Sequence, residues 1–335
     1  MSASTPNTGV KPPLHVAVGL VTDGDKIFIT RRCANSHQGG KWEFPGGKIE
    51  PGEDTFAALK RELQEELGIE VQAATPYFPI HYNYPDRQVF LDVWRITQYR
   101  GDPHGREGQE ARWIACTDLA QLEFPAADYP ILHRLWLPAL YLISDSRRFG
   151  KDRFLPALER ALQAGARLIQ LREAHLPPDE YQAYARQVAG LCHRYHAKLL
   201  LNAEPESALA CGADGVHLNS QRLMQYAKRP VENSFLLGAS CHSREELHQA
   251  ALLEADFAVL SPVAPTASHP HAQALGWENF SDMCVHAKLP VYALGGMRVS
   301  DVERALTVGA QGVAMISEVW GAASIEQTVA AILRR

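Results

Sequence analysis

The sequence has no basic block, no long apolar run and no paired cysteines. Its 33 Lys and Arg residues against 38 Asp and Glu residues give a net charge of −5, so no polynucleotide partner is predicted. No stretch approaches eighteen uninterrupted apolar residues, so we expect no membrane association. The six cysteines lack CxxC or zinc-ligand spacing, which disfavours disulfides and structural zinc. Residues 1–13 lack the features of a signal peptide, and we expect a disordered tail on a cytoplasmic protein.

The length of the chain, 335 residues, favours two domains, and an apolar content of 46% is sufficient for two cores. We place the first domain at residues 14–137 and the second at 139–335. In the first, Thr55–Leu67 predicts a helix that ends at Gly68, and Tyr129–Trp136 predicts a shorter one. Strands are predicted at His15–Val21, Lys26–Arg31 and Val89–Thr97.

From Ala139 onward, short apolar runs alternate with segments of helical length, which is typical of βαβ units around a parallel sheet. Eight such units predict a TIM (βα)8 barrel, with a doubly wound open sheet as the alternative. The predicted strands are Leu140–Ile143, Leu168–Leu171, Lys198–Leu201, Gly215–Leu218, Leu236–Ala239, Phe257–Leu260, Val291–Leu294 and Gly312–Ile316.

A cluster of carboxylates lies in the helix predicted over Thr55–Leu67. Glu62, Glu65 and Glu66 are spaced i, i+3 and i+4, which places all three on one face of the helix. Carboxylate oxygens clustered in this way suit Mg²⁺, with Mn²⁺ as a second possibility, and bound metal would activate water for attack on phosphorus. The alternative is a solvated acidic face.

These carboxylates belong to a longer pattern that runs from Gly47 through Glu53 to Arg61 and ends at Gly68-Ile69. All nine specified positions across the twenty-three residues match the Nudix box, so the domain resembles Nudix hydrolases. The resemblance implies an α/β/α sandwich with a mixed sheet and cleavage of a nucleoside diphosphate linked to a further group. It also implies that Arg61 positions Glu53 by an ion pair. The metal ligands that it implies are Glu62, Glu65, Glu66 and the carbonyl of Gly46, with Glu107 as a further ligand or base.

Segments outside the box are similar to Nudix hydrolases of the MutT type, which act on 8-oxo-dGTP. They include Trp42-Glu-Phe-Pro-Gly-Gly-Lys48 and Phe124-Pro-Ala-Ala-Asp128. This resemblance implies a nucleoside triphosphate substrate and the sanitation of oxidised nucleotides, which supports the fidelity of DNA replication. The residues implied in substrate binding are Arg32, His37, Glu43, Phe44, Pro45, Gly46 and Asp128. A surface position for His37, a rim charge for Arg32 and a core role for Phe44 are the alternatives.

Asp128 departs from the MutT pattern, which has asparagine at this position. Oxidised guanine presents an N7–H donor beside its O6 acceptor. An ionised carboxylate accepts only, whereas an amide both donates and accepts. The resemblance therefore implies full recognition of the base only if Asp128 is protonated.

The second domain resembles thiamine-phosphate synthase and its relative TenI, through segments such as Gly212-Ala-Asp-Gly-Val-His-Leu218 and Ala293-Leu-Gly-Gly-Met297. The resemblance implies a phosphate-binding rim, for which a tight turn is the alternative at the Gly-Gly pair. Several family positions are altered, including Ala174 in place of lysine, Ala203 in place of a magnesium-binding aspartate, and Arg222 where the family has a carboxylate. The residues implied at the rim are Gln170, Arg172, Gly295, Gly296 and Ser317.

The altered positions predict a degenerate barrel that binds a phosphorylated small molecule of the thiamine pathway. Three interpretations of the whole chain follow. It is a hydrolase of 8-oxo-dGTP, a hydrolase of a thiamine-pathway diphosphate, or a hydrolase carrying a non-catalytic sensor. The candidates for the general base are Glu53 and Glu107, alongside the helix carboxylates Glu62, Glu65 and Glu66.

Overall fold

The computed structural model describes residues 14–266 and 273–334, so the predicted tail at residues 1–13 lies outside the described residues. The chain divides into two compact units between Leu135 and Trp136. Within the described ranges, no helix is both long and apolar enough to cross a lipid bilayer.

The first unit is built around a seven-stranded mixed sheet, in which β1 pairs in parallel with β6 and antiparallel with β2 and β4. Its strands are β1 (Leu14–Asp23), β2 (Lys26–Arg31), β3 (Trp42–Glu43), β4 (Gly46–Lys48), β5 (Glu70–Asn83), β6 (Gln88–Arg100) and β7 (Ala111–Ala115). Its helices are α1 (Thr55–Leu67) and α2 (Tyr129–Trp136), the second of which ends one residue beyond the unit boundary.

Side chains of β1 alternate between two separate cores because successive residues of a strand point to opposite faces. Ala17 and Val21 pack with Leu59, Leu63 and Leu67, which line the inner face of α1. On the other face of the sheet, Val18 and Leu20 belong to the core that contains Ile131 and Leu132 of α2. Helices therefore cover both faces, and the predicted α/β/α sandwich with a mixed sheet is confirmed.

Helix α1 begins and ends where local chemistry dictates. The Asp54 side chain accepts a hydrogen bond from the Ala57 backbone N–H at 2.8 Å, which satisfies a donor in the first turn. Gly68 ends the helix in the left-handed conformation, with φ of 73°, and its N–H donates to the carbonyl oxygen of Gln64. These caps fix the length of the helix that carries the acidic residues.

The long strand β5 was not predicted from the sequence. Pro76 and Pro79 interrupt its apolar pattern, and proline is disfavoured inside a sheet because it cannot donate to the ladder. The structure accommodates the strand at the edge of the sheet, with register shifts at Val71/Ala73, Ala73/Ala74 and Pro76/Phe78.

The second unit is a closed barrel of eight parallel strands, which confirms the predicted TIM barrel and excludes the open sheet. Tyr141, Phe257 and Tyr292 fill its interior, and a larger apolar layer packs between strands and helices. The strands are β8 (Leu140–Ile143), β9 (Leu168–Leu171), β10 (Lys198–Leu201), β11 (Gly215–Leu218), β12 (Leu236–Cys241), β13 (Phe257–Leu260), β14 (Val291–Ala293) and β15 (Gly312–Met315). The helices are α3 (Ser146–Phe149), α4 (Lys151–Gln163), α5 (Pro178–Arg194), α6 (Pro205–Ala210), α7 (Ser220–Leu223), α8 (Arg244–Leu252), α9 (Gly276–His286), α10 (Val302–Thr307), α11 (Ser317–Trp320) and α12 (Ile325–Leu333).

Candidate functional sites

The acidic face of α1 is held against the strand β4 by two glycines. The Gly46 N–H donates to Glu66 Oε2 at 3.1 Å. The carboxylate of Glu62 lies so close to Gly47 that an added Cβ would approach its Cδ atom to 2.1 Å. Glycine at position 47 therefore leaves the space that the Glu62 carboxylate occupies.

Arg61 organises the carboxylates beside it. Its Nε and Nη2 atoms donate to the two oxygens of Glu53 at 3.0 and 2.9 Å, and its Nη1 atom donates to Glu62 at 2.7 Å. The paired hydrogen bonds from Arg61 hold the pKa of Glu53 below its usual range. Glu65 is more exposed, and its carboxylate lies 3.5 Å from Arg61.

Glu66 is the most strongly perturbed carboxyl group of this face. Burial raises its pKa to about 8, and the negative charges of Glu43, Glu62 and Glu107 act in the same direction. The loop that carries Glu107 is attached to the end of α1, because the Arg106 N–H donates to the Glu66 backbone carbonyl at 2.9 Å. The structure thus brings Glu107 close to the box.

A divalent cation suits this arrangement. Three further carboxylates, those of Glu43, Glu62 and Glu107, lie near Glu66, whose side chain accepts a hydrogen bond from the Gly46 backbone N–H. Within residues 14–266 and 273–334, no three His, Cys, Asp or Glu side chains form a ready coordination shell. Arg61 forms ion pairs with Glu62 and Glu65, so the ligand set would form by rearrangement of these two side chains. The carboxylates here outnumber the positively charged side chains beside them, and carboxylate oxygens are ligands that suit Mg²⁺ or a similar ion.

A cavity of about 320 Å³ opens beside these carboxylates. Six of the seven predicted substrate-binding residues line it, and Pro45 lies next to it with its carbonyl accepting a hydrogen bond from the Gly19 N–H at 2.9 Å. Tyr84 and Arg87 also line it, and no binding role was predicted for either residue from the sequence. The six lining residues are Arg32, His37, Glu43, Phe44, Gly46 and Asp128.

Polar side chains in this cavity are partly or fully buried, and they contact one another. Arg32 forms an ion pair with Glu43, and its Nε atom donates to the His37 carbonyl at 2.9 Å. Burial raises the pKa of Asp128 to about 8, an effect that the Glu43 charge increases and the Arg32 charge opposes. Asp128 is therefore mainly a neutral carboxylic acid at pH 7. Phe44 is also 4% exposed and stacks on Phe124, so it contributes to the core as well as to the cavity wall.

The barrel has its own cavity of about 580 Å³ at the carboxyl ends of the strands. Of the five predicted rim residues, Arg172 and Gly295 line it, and Gly296 and Ser317 adjoin lining residues. Gln170 is instead buried inside the barrel, at 2% exposure, and does not line the cavity within the described chain. Other polar lining residues are Glu173, Asn202, Asn219, Ser220, Gln221, Ser240, His242, Ser261 and Thr266.

The Gly295-Gly296 pair is required by packing. Both residues have positive φ angles, 98° and 68°. A Cβ on Gly295 would lie 2.7 Å from Pro262 Cα, and one on Gly296 would lie 2.8 Å from the Pro265 carbonyl oxygen. A tight turn explains both glycines. Gly295 also lines the cavity.

A buried polar chain leads from the barrel interior to the cavity. Gln170 Nε2 donates to the Tyr141 hydroxyl at 2.9 Å, which lies 3.1 Å from His217 Nδ1. The other ring nitrogen, Nε2, lies 2.9 Å from Ser240 Oγ, and Ser240 lines the cavity. Burial lowers the pKa of His217 to about 3.

These features are typical of a Nudix hydrolase unit, followed by a barrel with a polar rim. Comparison with known proteins agrees. The NUDIX domain model matches residues 16–134, and the thiamine monophosphate synthase model matches residues 140–319, more than half of the chain. The chain therefore belongs to the Nudix family through its first unit and to the thiamine monophosphate synthase family through its barrel.

Individual relatives match one unit each. The 8-oxo-dGTP diphosphatase of Escherichia coli is 42% identical over 123 residues, which is 36% of this chain and 95% of that protein. A thiamine-phosphate synthase of Lysinibacillus sphaericus is 35% identical over 196 residues, covering 57% of this chain and 92% of that protein. The solved thiamine phosphate pyrophosphorylase of Pyrococcus furiosus is 27% identical, with a TM-score of 0.50, over 58% of this chain and 93% of its own.

Proposed function

We propose that the first unit hydrolyses 8-oxo-dGTP to 8-oxo-dGMP and pyrophosphate, with Mg²⁺ as its metal. The observation that carries this proposal is one continuous site, in which Glu66 and Asp128 line the same cavity. A triphosphate at the Glu66 end would leave its base at the Asp128 end. Bound metal would neutralise the phosphates and supply activated water.

A protonated Asp128 supplies the hydrogen-bond donor for O6 of the base that an ionised side chain would lack. A neutral carboxylic acid has one O–H donor and one carbonyl acceptor. Its O–H donates to O6 of oxidised guanine, and its carbonyl accepts from the N7–H that only the oxidised base carries. Unmodified guanine has an acceptor at N7 and loses the second hydrogen bond. The protonated form of Asp128 therefore favours the oxidised nucleotide.

The substrate is tested by a turnover panel on the purified full chain with 8-oxo-dGTP, dGTP and thiamine diphosphate. We expect kcat/KM for 8-oxo-dGTP to exceed that for dGTP by at least about a hundredfold, as sites built on buried hydrogen bonds discriminate strongly. Equal, slow turnover of the two guanine nucleotides would remove the sanitation proposal. Preferred cleavage of thiamine diphosphate would assign the unit to the pathway of the barrel instead.

The role of Asp128 predicts a pH dependence that an asparagine variant lacks. As pH rises through about 8, Asp128 loses its proton, and kcat/KM for 8-oxo-dGTP should fall about tenfold per pH unit. In Asp128→Asn the amide retains its donor, so this fall should disappear. The measurement is the ratio of wild-type to variant kcat/KM between pH 6 and pH 10, which cancels the titration of groups common to both, Glu66 included. A constant ratio would show that Asp128 carries no essential proton.

We also propose that the barrel binds a phosphorylated small molecule and has lost synthase activity. Its cavity volume of about 580 Å³ lies within the range of small-ligand sites. Arg172, His242 and the Ser240 hydroxyl supply hydrogen-bond donors for phosphate oxygens at its rim. Incubation of the full chain with the two substrates of the synthase reaction should give no thiamine monophosphate, whereas steady formation of that product would contradict the loss of activity.

A further inference from the structure

The barrel cavity is poor in groups that could hold a divalent cation. Among its described lining residues, Glu173 is the one acidic side chain. Both of its oxygens are already engaged, because Ser144 Oγ and the Ser146 N–H donate to Oε1 and Ser146 Oγ donates to Oε2. Glu173 is 2% exposed, and its hydrogen bonds hold the segment after β8 in place.

A cationic side chain, that of Arg222, lies beside the rim instead. Arg222 Nη1 donates to Asn202 Oδ1, a cavity-lining group, at 3.2 Å. The Nε atom of Arg222 also forms an ion pair with Glu204, whose side chain is half exposed. Asn219, which lines the cavity and caps α7, accepts from the Arg222 backbone N–H at 2.8 Å. Asn202 and Asn219, which follow β10 and β11, thus hold Arg222 of α7 beside the edge of the cavity.

The magnesium chemistry implied by the thiamine-phosphate synthase resemblance does not fit these residues. The position after Asn202 is Ala203, a 9% exposed methyl group that offers no ligand. A guanidinium at the rim repels a second cation, while it forms strong hydrogen bonds with phosphate oxygens. The same cavity therefore favours an anion and disfavours a metal.

We infer that the barrel binds its phosphorylated ligand without a divalent metal, with Arg222 and Arg172 providing the positive charge. The inference rests on the proposed binding function of the barrel. The ligand class is a phosphate or diphosphate ester of a small heterocyclic alcohol. Release of the Glu204 ion pair would free the Arg222 guanidinium to donate hydrogen bonds to the phosphate.

The test is calorimetric titration of the full chain with thiamine monophosphate and, separately, with inorganic pyrophosphate, each in excess MgCl₂ and in excess EDTA. We expect at least one probe to bind with a Kd that agrees within about twofold in the two conditions. Arg222→Ala should weaken binding at least about tenfold in both, as loss of a charge-assisted hydrogen bond requires. Arg160→Ala is the matched control, because Arg160 is an exposed barrel arginine that pairs with Glu326 at 2.5 Å.

A double variant provides the converse test. Ala203→Asp with Arg222→Asp supplies two carboxylates at the rim, and binding should then require Mg²⁺. Melting curves and turnover of 8-oxo-dGTP confirm that each variant is folded. Wild-type binding that disappears in EDTA would overturn metal independence, and an unchanged Kd in Arg222→Ala would overturn the role of Arg222. Absence of binding by both probes in both conditions would instead remove the proposed binding function itself.

Discussion

Replacing Glu66 by glutamine should reduce kcat for 8-oxo-dGTP by on the order of a thousandfold while leaving the fold intact. The glutamine amide has nearly the shape of the carboxyl group and can still accept from the Gly46 N–H, now at 3.1 Å. It lacks the negative charge that a metal ligand supplies. The measurement is steady-state turnover over a range of Mg²⁺ concentrations, because loss of a ligand should also raise the Mg²⁺ concentration required for half-maximal rate.

Glu70→Gln provides the control for this experiment. Glu70 is an exposed residue at the start of β5, close to α1 in the sequence and outside the cavity lining. Its replacement changes net charge by the same amount and should leave turnover unchanged. Retention of full turnover in Glu66→Gln would refute the proposed metal site, whereas equal losses in the two variants would trace the effect to net charge.

Replacing Gly46 by alanine should destabilise the first unit by more than about 3 kcal/mol. Gly46 has a φ angle of 148°, and an added Cβ would lie 2.1 Å from the Ala17 carbonyl oxygen. That oxygen belongs to the backbone of β1, which pairs with β4 through Val18 and Gly46. Relief of the overlap requires separation of the two strands, which also moves the N–H that contacts Glu66.

Gly52→Ala separates steric overlap from backbone strain. Gly52 also has a positive φ angle, 87°, but an added Cβ would meet no atom within 4 Å. Its replacement should cost only the conformational strain of about 1–2 kcal/mol. Calorimetric melting of the full chain is suitable, because the barrel provides an internal reference transition that neither variant should shift. Equal shifts in the two variants would show that strain alone explains the effect.

The acidic helix was predictable from the sequence because every signal for it is local. The Glu62, Glu65 and Glu66 spacing, the apolar positions on a neighbouring face and the terminal Gly68 all act within one helix. The barrel strands were predictable for a related reason. Each is a short apolar run between helical segments, and most observed bounds agree with the predicted ones to within two residues.

Other features depend on contacts between distant segments and were therefore not predictable. Strand β5 is stabilised by twelve paired positions along β6, which outweigh the unfavourable prolines. Asp128 is buried in the wall of a cavity that distant segments such as Phe44 also line, and its protonation state depends on that burial. The chain of hydrogen bonds through Tyr141 and His217 joins four strands, β8, β9, β11 and β12, and no short motif contains both residues.

The hydrogen-bond chain through Tyr141 and His217 has a consequence for how ligand binding in the barrel would depend on pH. With the pKa of His217 lowered to about 3, the imidazole stays uncharged throughout the physiological range. The charge of the ring that contacts Ser240 is consequently the same in mildly acidic and mildly basic solution. A phosphate ester changes from monoanion to dianion near pH 6. At Ser240, any pH dependence of ligand binding in this range would therefore come from the charge state of the phosphate and not from His217.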